Sequence, residues 1–283
     1  MHEFDAGPVD EPFAELASSY PGAEVYPAAD FRVEWGPIFH RGRLDGSARI
    51  LVLGQDPGQH ESIARRILVG EAGQRVQGFL AKLGIERSYV MVNAFLYSVY
   101  GQQGGERHAA NPRISRYRNR WLDSLLADSE VEAVISFGRL AREAFRRWKR
   151  TEAGKRTAVT FEPLPHPTLP EASSRGDPAK KAEAMSRMLT DWNAALARLD
   201  EALRQRDAER PLAPYQTELL REDLAPIPGY DLPAGAPPWM FSLKQWASRE
   251  ALVESDSEQA REEAKRATIV VRVPREERPW KTR

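Results

Sequence analysis

Four short apolar runs alternate with amphipathic segments along the first two thirds of the chain. The runs lie at Arg49–Gly54, Tyr89–Phe95, Val131–Gly138 and Arg156–Pro167, and each contains β-branched residues. Runs of this length and composition are typical of strands that are buried on both faces of a parallel sheet. We therefore predict four strands of one central sheet.

The segments that follow the runs have apolar residues at helical spacing. Helices are predicted over 73–85, 116–128 and 138–148, and Gly84 is the predicted stop of the first. A longer amphipathic segment, 178–210, carries one apolar stripe made of Met185, Met188, Leu189, Trp192, Leu196, Leu199 and Leu203. Alternating strands and helices imply right-handed crossovers. The predicted fold class is α/β, a three-layer αβα sandwich with a central, mostly parallel sheet and a C-terminal extension.

The composition changes after Pro211, where prolines and aromatic residues interrupt any regular pattern. We expect this part to wrap the domain as an extended tail, with a charged helix near 258–266 and a short strand at 268–273. The predicted domain organisation is an N-terminal lead segment, an α/β domain and a C-terminal extension, at 1–24, 25–208 and 209–283 respectively.

Composition narrows the class of protein. The chain has 283 residues, 41% of them hydrophobic, which is enough for one substantial core. It contains no cysteine, so disulfides, iron–sulfur clusters and thiolate zinc sites are excluded. The histidines are too scattered to form a ligand set, and we expect no metal and no cofactor.

Charge and hydropathy add expectations about location and partners. No apolar run is long enough to span a membrane, and the acidic first twenty residues lack the features of a signal peptide, so we expect a cytoplasmic location. The formal net charge is +0. Arginines cluster in 111–121 and 139–150, which fits either solvated helix faces or a nucleic-acid surface.

Polar side chains follow the predicted strands where the strands end. Ligands bind at the carboxyl edge of an open parallel sheet, so this edge is the candidate site. The polar residues there are Gln55, Asp56, Gln59, His60, Asn93 and His166. Each has an ordinary structural explanation, such as a helix cap or a strand-end hydrogen bond, but a carboxylate, an amide and an imidazole on one edge favour an active site.

The turn after the first strand supports the same interpretation. Gly54 and Gly58 would let the backbone approach a ligand closely, and Pro57 would hold Asp56 in a fixed turn.

Three motifs in this order resemble the uracil-DNA glycosylase superfamily. They are "GQDPG" after an apolar strand, "VN" at the end of the next strand and "PHPTLP" after the last strand, and the resemblance covers about 49–198. "GQDP" matches the family-1 enzymes, whereas the segment from Pro57 to Asn93 is similar to families that normally carry an iron–sulfur cluster. The chain is therefore identified as an atypical member without the cluster cysteines.

The resemblance implies a DNA repair enzyme that hydrolyses the N-glycosidic bond of uracil and leaves an abasic site. Asp56 would position a water and stabilise a cationic sugar, and His166 would bond the departing base. Asn93 would pair with O4 and N3–H of uracil. The implied partner is uracil-containing DNA, single- or double-stranded, whose target nucleotide is flipped out of the stack, and the enzyme is expected to be a monomer.

The resemblance also assigns the surrounding residues. Base recognition would include Gln55, Gly58, where family-1 enzymes have a tyrosine, and Leu68, where the iron–sulfur families have a stacking phenylalanine. Stacking on the base could fall to Leu68, to Arg65 or Arg66, or to Phe95. The expected DNA contacts are Pro57, Pro167, Thr168, Leu169 and Arg175, with Leu169 as the wedge that fills the stack.

Three alternatives remain open at this point. A protein that captures uracil or abasic DNA without turnover is one, although the presence of Asp56 argues against it. A glycosylase for hypoxanthine or mismatched thymine is another, and Gly58 leaves it open. A nucleotide-binding or protein-interaction module is the third, but neither GxGxxG nor GxxxxGK[ST] occurs.

Overall fold

The computed structural model of the chain describes residues 4–100, 102–249, 266 and 268–278. Its central sheet has five strands in the order β1-β3-β2-β4-β5. They are β1 (His40–Gly42), β2 (Ile50–Gly54), β3 (Tyr89–Asn93), β4 (Ala133–Phe137) and β5 (Thr160–Leu164). Strand β1 pairs antiparallel with β3, and every other pairing is parallel. The chain leaves β2 toward β3 and later returns to β4 on its other side, which creates a topological switch point at the carboxyl ends of β2 and β4.

Helices cover both faces of the sheet. They are α1 (Phe13–Ser18), α2 (Gln59–Ala64), α3 (Glu71–Lys82), α4 (Gln102–His108), α5 (Pro112–Leu126), α6 (Arg139–Trp148), α7 (Glu152–Arg156), α8 (Leu169–Ser174) and α9 (Pro178–Ala202). One apolar cluster joins α3 and α9 to the sheet, and a second joins α1, α5 and α6 to the opposite face. The predicted αβα sandwich is confirmed. Within the described ranges, no helix is both long and apolar enough to cross a membrane.

The helix predictions are confirmed in type as α3, α5, α6 and α9, and Gly84, with φ of 71°, follows α3 as expected. The predicted start of the last strand at Arg156 is wrong. Thr151 caps α7 by accepting a hydrogen bond from the Gly154 N–H at 3.1 Å, and this helix occupies the sequence up to Arg156. The strand therefore begins only at Thr160. The edge strand β1 was not predicted, because three residues carry too little periodicity.

The described part of the segment after Pro211 makes several contacts with the α/β domain. Tyr215 is 4% exposed and its ring meets the Trp192 ring edge to face at 5.6 Å. Strand β6 (Ala247–Arg249) pairs antiparallel with β7 (Ile269–Val271), which confirms the expected strand at 268–273. The charged helix predicted near 258–266 lies outside the described residues except for Arg266.

A buried ion pair joins the extension to the edge of the sheet. Arg41 of β1 is 0% exposed, and its guanidinium lies 3.1 Å from the carboxylate of Asp231. The Tyr89 hydroxyl donates to the same carboxylate at 2.5 Å, and Gln77 accepts from Arg41 at 3.1 Å. Burial raises the pKa of Asp231, and the charge of Arg41 opposes that rise. A buried charge of this kind is tolerated only while its partner is present.

Candidate active site

The three motifs meet at the carboxyl edge of the sheet. Gly54 and Asn93 are register partners at the ends of β2 and β3, and a Cβ at Gly54 would lie 2.2 Å from Oδ1 of Asn93. On the other side, a Cβ at Gly138, after β4, would lie 3.5 Å from the Cβ of His166 and 3.8 Å from Oε1 of Gln55. The amide and the imidazole therefore flank the loop that carries Asp56. Glycine at 54 is what allows the Asn93 amide to lie across the end of β2.

The Asp56 carboxylate is held from both sides. Oδ2 accepts a hydrogen bond from the Val99 N–H at 2.9 Å, and Oδ1 accepts one from Nε2 of Gln55 at 3.2 Å. Pro57 is buried behind it, and Asp56 itself is partly exposed. Two donors and a rigid turn fix the carboxylate at the switch point while leaving room for a further hydrogen bond to Oδ1.

Asn93 presents a buried acceptor toward one face of the sheet. It is 8% exposed, and its Oδ1 has no hydrogen-bond partner among the described residues. Alternation along β3 puts Asn93 on the same face as Met91, and Met91 belongs to the apolar cluster that contains Leu68. Leu68 is 8% exposed and its backbone is left-handed, with φ of 54°. Strand alternation therefore assigns Asn93 to the face of the sheet on which Leu68 packs.

The other candidates for stacking on a base have different contacts. Phe95 is 1% exposed, and its ring packs on Phe31 in the cluster on the opposite face. Arg65 donates to the carbonyls of Trp35 and Pro37 at 2.8 and 2.6 Å. The guanidinium of Arg66 pairs with Asp5 at 2.7 Å. Of the four stacking candidates, only Leu68 lies on the Asn93 face without such an engagement.

The tautomer of His166 follows from its contacts with Thr168. The Thr168 N–H donates to Nδ1 at 3.3 Å, and the Thr168 hydroxyl lies 3.0 Å from the same nitrogen. Because a backbone N–H can only donate, Nδ1 is an acceptor, and the neutral ring carries its proton on Nε2. His166 is thus a donor through Nε2.

A comparison with models of protein families identifies the family of the chain. The model of the uracil DNA glycosylase superfamily matches residues 41–192. The chain belongs to the uracil DNA glycosylase superfamily. A search of curated proteins found no match. Membership indicates a glycosylase hydrolase that acts on DNA, and this member has no cysteine with which to ligate an iron–sulfur cluster.

Gly58 departs from the family-1 pattern for a local reason. Its N–H donates to Oε2 of Glu61 at 3.0 Å, and a Cβ at 58 would lie only 2.8 Å from that oxygen. Glu61 is 7% exposed, and its Oε1 also accepts from the N–H groups of Val69 and Gly70 at 2.9 and 3.3 Å. Glu61 therefore ties the Asp56 turn to the segment that carries Leu68. Glu61 was not among the predicted site residues, although an acidic residue three positions after a helix cap is a recognisable signal.

His60 and Gln59 were also candidates at this edge. His60 is 4% exposed, accepts a hydrogen bond from the Ala247 N–H at 3.2 Å and meets the Trp246 ring edge to face at 4.8 Å. Burial lowers the pKa of His60. Its contacts assign it to the packing of the C-terminal extension. Gln59 is partly exposed at the start of α2, and no contact brings it to Asp56. Among the described residues, no group of three acidic or histidine side chains could hold a metal ion.

A buried arginine holds the loop that carries His166. Arg75 of α3 is 5% exposed, and it donates to the Pro167 carbonyl at 2.5 Å. It also pairs with both carboxylate oxygens of Glu171, at 3.0 and 2.9 Å, and contacts Glu71. Arg75 was not among the predicted site residues, although an arginine directly before the apolar Val76 in a helix that packs on the core was a visible signal. It fixes the position of the loop rather than its chemistry.

The loop after His166 exposes several of the residues that were predicted to contact DNA. Pro167 is buried, Thr168 is partly exposed and Leu169 is 41% exposed. Leu169 is among the few large apolar side chains that are exposed in the described part of the chain. Arg175 is exposed at the end of α8, where its φ is 51°. The exposed leucine thus stands at the start of α8, three residues after His166.

The arginines of α5 and α6 largely have partners within the chain. Arg120 pairs with Glu15 at 2.9 Å, and Arg113 donates to the Glu24 carbonyl at 2.8 Å. Arg147 donates to the Ala109 carbonyl at 2.6 Å, and Arg139 pairs with Glu106. These contacts favour the interpretation of both clusters as solvated helix faces over a nucleic-acid surface.

The Arg75–Glu171 pair predicts a pH dependence of stability. Burial raises the pKa of Glu171, but its bonds to Arg75 outweigh that effect and lower the pKa from 4.5 to about 2. A lowered pKa adds stability that is complete above the unfolded value and is lost as the pH falls toward about 2. We expect the melting temperature of the wild type to fall more steeply between pH 4.5 and pH 2 than that of Glu171→Gln. Parallel curves in a thermal melt series would contradict the pairing.

Proposed function

We propose that the protein is a monofunctional glycosylase that hydrolyses the N-glycosidic bond of uracil in DNA and leaves an abasic site. The observation that carries the proposal is the buried Oδ1 of Asn93, an acceptor without a partner among the described residues. It lies at the edge that also holds Asp56 and His166. A buried acceptor of this kind suits a ligand that brings its own N–H.

The geometry supports a division of labour across the flipped nucleotide. Breaking the C1′–N1 bond leaves positive charge on the sugar and moves the bonding electrons onto the base. Asp56, held by Val99 and Gln55, positions a water at C1′, accepts its proton and stabilises the cationic sugar. The N–H on Nε2 of His166 bonds the uracil oxygen on which negative charge accumulates.

Base selection follows from the Asn93 amide. The N3–H of uracil donates to Oδ1, and O4 accepts from the amide NH₂. Cytosine offers an amino group and an unprotonated N3 at those positions, so its pattern is inverted. Leu68, on the same face, supplies an apolar surface for the ring.

Asn93→Asp tests this selectivity. The carboxylate accepts where the amide donated, so it repels O4 of uracil and can accept from the amino group of cytosine. We expect kcat/KM for uracil to fall by about 10²-fold or more, the scale on which a site rejects a mismatched hydrogen-bonding pattern, with cytosine release becoming detectable. Parallel single-turnover assays on matched uracil and cytosine oligonucleotides measure both changes. An unchanged base preference would remove Asn93 from recognition.

Leu169→Ala tests the wedge. An apolar wedge replaces stacking in a duplex, whereas a single strand has no neighbouring pair to invade. We expect activity on duplex DNA to fall by about tenfold, which corresponds to about 1.4 kcal/mol of lost wedge contact, and activity on single strands to stay within about twofold. Val271→Ala, a comparably exposed apolar residue of β7, is the control and should change neither. Equal losses on both substrates would contradict the assignment.

A gel assay tests the proposal as a whole. A labelled oligonucleotide with one uracil is incubated with the protein and then either treated with alkali or loaded directly. Strand scission that depends on alkali supports a monofunctional glycosylase. A shifted band without scission would indicate capture of uracil DNA without turnover, and scission only with hypoxanthine or mismatched thymine would redefine the base.

A further inference from the structure

The C-terminal extension brings an arginine to the Asp56 turn. Strand β6 packs against α2, which begins directly after the GQDPG turn, and the Ala247 N–H donates to Nε2 of His60 at 3.2 Å. Ala247 is 4% exposed and belongs to an apolar cluster that includes Ala64 of α2. Residues two apart in a strand share a face, so Arg249 lies on the same side of β6 as Ala247. That side faces α2, which begins directly after the Asp56 turn.

The surroundings of Arg249 combine burial with a set of charges. Its Nε is buried and has no hydrogen-bond partner among the described residues. The guanidinium interacts electrostatically with the carboxylates of Asp56 and Glu61 and with the guanidinium of Arg32. Of these carboxylates, Glu61 is already bonded to three backbone N–H groups. Arg249 is therefore an arginine at the catalytic turn with hydrogen-bonding capacity to spare.

The position of Arg249 relative to the sugar side and the base side of the site indicates which anion it can bind. Asp56 acts on the sugar side of the nucleotide, whereas Asn93 and His166 hold the base. Arg249 lies on the Asp56 side of the site, because β6 packs on α2 and α2 directly follows the Asp56 turn. An anion on the sugar side of a nucleotide in DNA is a phosphodiester, and guanidinium binds phosphate oxygens with paired N–H groups.

We propose that Arg249 of the C-terminal extension binds a phosphodiester that flanks the target nucleotide, and so completes the active site of the superfamily domain. The inference rests on the proposed function. It also removes an electrostatic conflict, because an ionised Asp56 and a DNA phosphate repel each other at short range. A guanidinium between them offsets that repulsion. Arg249 is thus a substrate-binding residue that lies outside the matched family region.

Neutralising single phosphates tests the contact directly. The probe is an oligonucleotide with 2′-fluoro-2′-deoxyuridine, whose fluorine slows hydrolysis, and with a methylphosphonate on either side of that nucleotide. We expect one of the two neutral substitutions to weaken binding to the wild type by about tenfold, and to change binding to Arg249→Gln by less than about twofold. The slope of log K against log salt should fall by about 0.7–0.9 in the variant, as for one lost phosphate contact.

Control variants separate this contact from general effects. Arg150→Gln removes an exposed arginine that follows the end of α6, away from the carboxyl ends of the strands, and should leave binding and salt slope unchanged. Ser248→Ala, whose side chain points away from the Arg249 face, tests the hairpin itself and should also bind normally. Arg249→Lys keeps the charge but not the paired donors, so it should lose less affinity than Arg249→Gln.

The outcomes are decisive in both directions. If the wild-type protein does not release uracil, the proposed function is wrong. Wild-type protein that releases uracil, together with an Arg249→Gln variant of equal affinity and salt slope, overturns the phosphate contact alone. Faster uracil release by Arg249→Gln also overturns it, because the hairpin would then cover the site. If Arg249→Gln does not fold, the wild type alone tests the contact. Wild-type protein that binds both methylphosphonate oligonucleotides as tightly as the unmodified one would overturn the inference.

Discussion

Asp56→Asn is expected to lower the rate of uracil release by about 10²–10⁴-fold, the range for loss of a general base, while affinity for uracil DNA stays within about twofold. An amide cannot accept the proton of the attacking water or offset the positive charge of the sugar. The fold should be unaffected, because the amide oxygen can still accept the Val99 N–H that now reaches Oδ2 at 2.9 Å. Single-turnover kinetics and equilibrium binding on the same oligonucleotide separate the two effects.

Asp45→Asn provides the matched control. Asp45 is an exposed aspartate that precedes β2, at the opposite edge of the sheet, and its carboxylate accepts from the Ser47 N–H at 3.0 Å. The same change of charge far from the site should leave the rate unaltered. A native rate in Asp56→Asn would contradict the mechanism, and an equal loss in both variants would indicate a general effect of charge.

His166→Ala is expected to lower kcat by about 10²–10³-fold, the usual cost of removing one donor to a developing anion. Binding of the uncharged base in the ground state depends less on this hydrogen bond, so KM should change little. Rapid-quench measurement of uracil release, with substrate in excess and in deficit, gives the two constants. A loss confined to KM would assign His166 to substrate binding alone.

Thr168→Val tests how much the function of His166 depends on the Thr168 hydroxyl. It removes the hydroxyl at 3.0 Å from Nδ1 but keeps the backbone N–H at 3.3 Å, which is sufficient to place the ring proton on Nε2. We expect a loss below about tenfold, since only one neutral hydrogen bond to the ring is removed. A loss as large as that of His166→Ala would mean that the hydroxyl itself takes part in the reaction.

The candidate site was predictable where strands end in unusual residues. Asp56, Asn93 and His166 each follow a buried apolar run, and parallel strands bring their carboxyl ends to one edge. Arg249 gave no such signal, because its contact with the Asp56 turn exists only after β6 has packed on α2. Arg75 was hidden for a related reason, since a buried arginine in a helix is explained only by the loop that it bonds.

The fold was predictable to the same extent. Long periodic segments gave α3, α5, α6 and α9, and the apolar runs gave the four parallel strands. The edge strand β1 and the end of α7 depend on short-range or tertiary contacts that periodicity does not contain. Thr151 illustrates this, because its hydroxyl caps a short helix whose last residue, Arg156, is the first residue of the run that was predicted to be a strand.

The Arg41–Asp231 pair has a consequence for folding during synthesis. Arg41 leaves the ribosome early, is fully buried in the finished sheet, and finds its carboxylate only after residue 231 has been synthesised. Burying that guanidinium without its partner costs about 3–5 kcal/mol, a large share of the 5–15 kcal/mol by which domains are stable. We therefore expect β1 to pack stably in the sheet only once residue 231 is available, so that the family domain depends for its edge strand on a segment outside the matched residues 41–192.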